Sequence, residues 1–85
     1  MPKVIEVVMG PSMPETGEIA RAVTLDNGWG QVQTYSKRKK AWVKGGTTLQ
    51  SLWAADVISR EWLKQNGFDD DIKNIFRRPE DEVVR

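Results

Sequence analysis

The first half of the chain alternates short apolar runs with turn residues, a pattern that predicts β-strands. Val4 to Met9 is short and rich in β-branched side chains, which favours a strand over a helix. A loop at residues 10–17 follows, and the next run, residues 19–25, ends before Asn27-Gly28. Asn-Gly supplies the two positive-φ positions of a type I′ hairpin turn. The predicted meander is completed by two further runs, residues 29–35 and 40–44.

A two-residue turn at Asn27-Gly28 determines which residues share a face of the predicted sheet. It sets Val23 opposite Val32, and a connection over residues 36–39 sets Tyr35 opposite Lys40. One face then carries the predicted core, Ile19, Val23, Leu25, Val32, Ala41 and Val43. The other face is predicted to stay accessible and carries Ala20, Ala22, Thr24, Trp29, Gln31, Gln33, Tyr35, Lys40, Trp42 and Lys44. Pairing of Val23 with a glutamine of the next strand would instead move the rings to the opposite face.

The second half of the chain has a helical pattern. Residues 47–50, Thr-Thr-Leu-Gln, fit a capping box, so one main helix is expected over residues 48–66. Its apolar side chains fall on two opposite sides, with Leu52 on one and Ile58 on the other. The sheet is expected to cover one side, and a short C-terminal helix at residues 69–78 is expected to cover the other.

Length and composition indicate a single small domain. A chain of 85 residues buries only about 60% of its unfolded surface, too little for two separate cores. Hydrophobic residues make up 39% of the chain, with four Trp, so folding is expected rather than disorder. The sequence therefore predicts an α+β domain over residues 1–78, a three- or four-stranded antiparallel meander with one main helix packed on one face and a short C-terminal helix. Residues 79–85 are predicted to form a polar tail.

Two residue types are absent from the sequence, which excludes several kinds of catalytic and metal-binding site. The chain has no Cys and no His, which excludes disulfides, Cys/His zinc sites, haem with a His ligand and catalytic triads that contain His. The three acids at 69–71 lack the spacing of a calcium loop and are read as a helix start. No apolar run or signal-peptide pattern indicates a membrane or secretion. We therefore expect a cytoplasmic protein that is not an enzyme and holds no cofactor or metal.

The charge distribution changes this picture, because the net charge of +1 conceals a local surplus of cations. Residues 37–44 hold five cations and no acid. Planar rings can stack on bases, Gln amides can pair with adenine edges, and cations neutralise phosphates. The sequence thus predicts nucleic-acid binding, with duplex DNA favoured because a two-stranded ribbon fits the major groove. The predicted site comprises Trp29, Gln31, Gln33, Tyr35, Lys37, Arg38, Lys39, Lys40, Trp42 and Lys44.

A protein-binding role is the alternative that the same residues leave open. Trp, Tyr and Arg are the residues most enriched in interface hot spots. The Trp-rich surface and the two-sided apolar helix would then dock on a partner protein, as an inhibitor or adaptor, or on a second copy of the chain as a homodimer. Salt dependence separates the two classes, since nucleic-acid affinity falls steeply with salt.

One family shares the order of residue types over residues 19–65. A basic hairpin is followed by Lys44-Gly45-Gly46-Thr47, and then by a predicted helix with apolar Leu49, Leu52, Trp53 and Leu63. This order resembles the arm-site DNA-binding domain of tyrosine-type phage integrases. The resemblance implies a three-stranded sheet in the major groove with a helix packed behind it. It also implies backbone contacts for residues 37–39 and base-facing positions for Trp29, Gln31, Gln33, Lys40, Trp42 and Lys44.

The resemblance also implies a biological setting. No catalytic integrase domain follows the matching segment, so the chain is not expected to be an integrase. We expect instead a small phage or mobile-element protein with an accessory or regulatory role.

Overall fold

The structure is a computed structural model that describes residues 3–15 and 17–77. The predicted tail at residues 79–85 lies outside the described residues. The described part combines a four-stranded antiparallel sheet with short helical segments, so the predicted α+β class and the meander are confirmed.

The strands follow one another in the sheet in the order in which they occur in the chain. The strands are β1 (Val4–Ser12), β2 (Ala20–Leu25), β3 (Gly30–Ser36) and β4 (Ala41–Lys44). The helical segments are α1 (Leu49–Trp53), α2 (Arg60–Gln65), a 3₁₀ turn (Asp69–Asp71) and α3 (Ile72–Ile75).

The turn between β2 and β3 has three residues, whereas two were predicted. The Gly28 amide donates to the Leu25 carbonyl at 3.0 Å, and the Leu25 amide donates to the Trp29 carbonyl at 2.8 Å. Gly28 has a φ of 89°, but Asn27 lacks the positive φ that a type I′ turn requires. The Asn27 side chain instead accepts the Trp29 amide at 3.0 Å. The predicted type I′ turn is therefore wrong, and the additional residue shifts β3 by one position.

This one-residue shift moves the side chains of β3 to the opposite face. Val23 lies opposite Gln31, and Val32 lies opposite Ala22. The predicted pairing of Val23 with Val32 is therefore wrong. Because side chains alternate along a strand, the glutamines and Tyr35 share the face of Val23.

The connection between β3 and β4 also differs from its prediction. Tyr35 lies opposite Trp42, not opposite Lys40. We call the face that carries these rings the ring face, and it comprises Ile19, Arg21, Val23, Gln31, Gln33, Tyr35, Trp42 and Lys44. We call the opposite face the groove face, and it comprises Ala20, Ala22, Thr24, Val32, Thr34 and Val43.

The predicted main helix is two helices on opposite faces of the sheet. Thr48 caps α1, with its hydroxyl accepting the Ser51 amide, so the helix begins one residue later than the predicted capping box. Ser59 caps α2 in the same way, and between the two helices Val57 forms a β-bridge with Ser12. The break divides the apolar positions of the predicted helix, because Leu52 of α1 packs on the groove face, whereas Ile58 in the connection and Leu63 of α2 pack on the ring face.

Each face of the sheet has its own buried cluster. On the groove face, Leu52 of α1 packs with Ala20 and Ala22. The predicted packing of one main helix on Ile19, Val23, Leu25, Val32 and Val43 is therefore wrong. The ring-face cluster is larger and consists of Ile19, Tyr35, Ile58, Leu63 and Ile75. Within the described residues, no helix has the length and apolar character needed to cross a membrane.

Candidate nucleic-acid interface

Tyr35, predicted to face a ligand, is buried beneath α2, the 3₁₀ turn and α3, which we call the helical layer. Its hydroxyl donates a 2.6 Å hydrogen bond to Oδ1 of Asp71, a carboxylate that is itself buried. Burial raises the pKa of Tyr35 to about 12, and the hydrogen bond to Asp71 adds to the effect. This hydrogen bond joins β3 to the 3₁₀ turn, so the Tyr35 ring has a structural role.

Trp42 occupies a similar structural position. Its ring meets Tyr35 edge-on, with the ring centroids 5.5 Å apart and the planes at 72°. The Arg21 guanidinium carbon lies 4.5 Å from the Trp42 ring centroid. The indole N–H is buried and finds no hydrogen-bond acceptor among the described residues. Neither ring of this pair is free to stack on a base.

The two glutamines predicted to recognise bases are bonded to each other. Arg21 Nε donates to Gln33 Oε1, and Gln33 Nε2 donates to Gln31 Oε1, each at 2.9 Å. Arg21 and Gln33 are both buried. The amides therefore complete a polar row across the ring face, and the predicted accessible face is wrong because the β3 register differs.

Trp29 remains accessible but lies far from the basic residues. It is 72% exposed beside the β2–β3 turn. Strand β3 lies between it and the cations of the next turn, and seven residues of strand span about 20 Å. Lys44 is exposed at the end of β4, opposite Gln33. The structure thus separates the ten predicted site residues into a packed group of rings and amides, an isolated ring, Lys44 at the end of β4, and a basic group of four consecutive residues.

The basic group forms the exposed connection between β3 and β4, which we call the basic loop, residues 37–40. The Ser36 hydroxyl accepts the Lys39 amide at 3.1 Å, and Lys40 has a left-handed φ of 54°. Lys37 contacts the segment after α2, because its Nζ donates to the Gly67 carbonyl at 3.0 Å. The other three residues of the basic loop are exposed.

Lys37 also connects the basic loop to aromatic side chains of the helical layer. Its Nζ lies 4.6 Å from the Phe68 ring centroid. Phe68 in turn stacks on Trp62 with the ring centroids 6.3 Å apart. The Phe68 ring is thus covered by a cation on one side.

A second group of cations, absent from the sequence prediction, lines a cleft between α2 and α3. The cleft has a volume of about 670 Å³, and we call it the basic cleft. It is lined by Arg60, Lys64, Asp69, Ile72, Lys73, Phe76 and Arg77. Arg60 covers one ring, with its guanidinium carbon 4.4 Å from the Phe76 centroid. The sequence signal was a pair of cations four residues apart, Arg60 and Lys64, which lie on one side of α2, and a second pair at the same spacing, Lys73 of α3 and Arg77 just after it.

The groove face carries an apolar groove of about 290 Å³ next to α1. Val8 is 62% exposed and Trp53 is 65% exposed, and both line this groove with Leu49. The apolar groove adjoins Val32 and Ala22 of the sheet. It provides an accessible surface without charged lining residues.

Comparison of the chain with protein-family models, with curated proteins and with solved structures gave no match. Among the described residues, no group of three or more Asp or Glu side chains could hold a metal ion.

Proposed function

We propose that this protein binds nucleic acid without catalysing a reaction, and that the basic loop is its principal contact. The observation that supports the proposal is the exposure of four consecutive cations, residues 37–40, on a loop anchored to the helical layer. No acid lies in residues 37–44 to offset them. Cations presented in this way gain affinity for phosphates by releasing condensed counterions.

The three unanchored side chains determine the expected strength of this contact. Arg38, Lys39 and Lys40 extend from the loop, while Lys37 is engaged with Gly67. Three phosphate contacts on B-DNA give a slope of log affinity against log salt of about −2.7. Binding through the loop should therefore be modest and strongly dependent on salt.

Duplex DNA is the proposed partner, because its phosphate charge is denser than that of a single strand. Binding of single strands usually relies on aromatic rings that stack on bases. Tyr35 and Trp42 are packed in the ring face and do not supply this contact. The proposal therefore omits base recognition by Gln31 and Gln33, whose amides bond each other.

The proposed biological role is that of a small accessory or regulatory protein of a phage or mobile element, located in the cytoplasm. The support for this role is the resemblance to integrase arm-site domains, applied to the backbone-contacting turn alone. Contacts to phosphates position a protein on DNA without carrying sequence information. We therefore expect binding that is similar for different duplex sequences.

The proposal is tested by titrating labelled random-sequence duplex and single-stranded DNA with the protein. Between about 50 and 200 mM salt, the three loop contacts alone predict an affinity loss of at least about fortyfold for the duplex. Lys39→Gln should weaken duplex binding, whereas Lys3→Gln should have little effect, since Lys3 precedes β1 and its carbonyl accepts the Asp26 amide beside the β2–β3 turn, outside the loop. Absence of binding at the lower salt would contradict the proposal. Turnover of nucleotides or phosphoesters above background would contradict its non-enzymatic part.

A second candidate function is protein binding at the apolar groove. The supporting observation is the exposure of Trp53 and Val8 around a lining without charged residues. Tryptophan is enriched in interface hot spots, and such an interface should depend little on salt. The occupant that we propose is a second copy of the chain, because each copy would then cover the exposed apolar side chains of the other.

Sedimentation across a concentration series tests this second candidate. Self-association that Trp53→Ser abolishes and that salt leaves unchanged would support it. A monomer at every concentration would exclude a second copy as the occupant.

A further inference from the structure

We propose that the basic cleft is a second phosphate-binding site, which contacts the same duplex as the basic loop. The inference rests on the proposed function and extends it to residues on α2 and α3. It assigns a phosphate contact to Lys64 and to Lys73, two of the four cations that line the cleft with a single carboxylate, that of Asp69.

The basic cleft is joined to the basic loop through the end of α2. Lys37 of the loop contacts the Gly67 carbonyl and the Phe68 ring. Lys64 lies three residues before Gly67 and lines the cleft. Gly67 lies two residues beyond the end of α2, so the chain between these two positions spans at most about 11 Å. One DNA backbone can therefore pass from the loop to the cleft.

The chemistry of the cleft favours phosphates over bases. The Phe76 ring at the cleft is covered by Arg60, and the Phe68 ring beside it is covered by Lys37. A cation on one face of each ring leaves less surface for base stacking. What remains accessible is positive charge, which matches the backbone of a duplex and not its base edges.

The test compares the salt dependence of duplex binding in the full chain and in a Lys64→Gln, Lys73→Gln double variant. With two added contacts, the wild-type slope should be about −4.5, and affinity should fall about five-hundredfold between about 50 and 200 mM salt. The double variant should return to the loop-only slope of about −2.7. Glutamine is a good helix former, so both helices should persist.

Two further variants keep the test decisive. Lys64→Arg with Lys73→Arg retains both charges and should keep the steep slope, which separates charge from any change in fold. Lys3→Gln removes one lysine away from the cleft and should leave the slope unchanged. A double Gln variant with the wild-type slope would overturn the basic cleft while leaving the loop proposal intact. A wild-type protein that does not bind duplex would overturn both.

Discussion

The two faces of the sheet differ in how completely the helices cover them. The ring face is covered by α2, the 3₁₀ turn and α3, and its cluster includes Tyr35, Leu63 and Ile75. The groove face is covered by the five-residue α1, which buries Leu52 and leaves Trp53 exposed. Aromatic side chains alone therefore do not identify the binding face, because Tyr35 and Trp42 of the sheet pack in the ring-face cluster, whereas the cations of the basic loop are exposed.

The largest effect on the free energy of unfolding should distinguish the two faces when the same change, Leu to Ala, is made on each. Leu63 is fully buried in the ring-face cluster, whereas Leu49 is 40% exposed at the apolar groove. Leu63→Ala should lower the free energy of unfolding by about 2–5 kcal/mol through lost burial and a residual cavity. Leu49→Ala should cost less than about 1 kcal/mol, since exposed sites contribute little. Equal costs in urea unfolding would contradict the described difference in cover.

A second prediction concerns the close approach of Gly45, which follows β4, to Thr34 of β3. A methyl group on Gly45 would lie 2.8 Å from Thr34 Cγ2 and 3.0 Å from the Thr34 amide nitrogen. Gly45→Ala should therefore cost about 1–3 kcal/mol through forced backbone movement. Gly46→Ala is the control, since the space around Gly46 is open. Similar unfolding midpoints for the two variants would be inconsistent with this close contact.

A third prediction uses the only tyrosine of the chain, so phenolate absorbance reports on Tyr35 alone. Its pKa is raised to about 12, mainly by burial, from the ordinary value of 10.0. Above pH 10 the unfolded chain loses this proton while the folded chain retains it. Stability should therefore fall as pH rises through this range, by at most about 1.4 kcal/mol per pH unit.

The matched variant for this titration is Tyr35→Phe. It should remove this alkaline contribution, and at neutral pH it should cost about 1–3 kcal/mol because Asp71 loses its buried donor. A wild-type phenol that titrates near pH 10 in the folded protein would show that the ring is not buried as described.

The smallest effect on stability is expected at the basic loop. Arg38 and Lys39 are exposed, and their charges can be removed without touching the Lys37 contact or the positive φ of Lys40. Arg38→Gln with Lys39→Gln should change the free energy of unfolding by no more than about 0.5 kcal/mol. A loss like that of Leu63→Ala would mean that the loop is structural, which would weaken its assignment as a binding surface.

The fold class could be predicted from the sequence because strand runs, turn glycines and capping residues act locally. The strand register could not be predicted, because Asn27-Gly28 is compatible with a two-residue and a three-residue turn. The two-residue turn requires a positive φ at both residues, and in the structure only Gly28 has one. This single difference moved Gln33 and Tyr35 from an expected binding face into the core. A one-residue error in register reverses every side chain of a strand.

The basic loop could be found in the sequence because its cations are consecutive, and exposure of such a run does not depend on register. The basic cleft was missed because Lys64 and Lys73 lie on different helices, and only tertiary packing brings them together. The break in the predicted main helix was also nonlocal in origin, since Val57 bridges to Ser12 of β1.

The most direct test of the account is a nuclear magnetic resonance titration of the full chain with a short duplex, read at the backbone amides and at the four Trp indoles. We predict shifts at residues 37–40 and around the basic cleft, with a small change at Trp62, which stacks on Phe68. The indoles of Trp29 and Trp53 should stay unchanged. Shifts confined to Trp53 and the apolar groove, or no shifts at low salt, would contradict the claim that this protein binds nucleic acid through its basic surface.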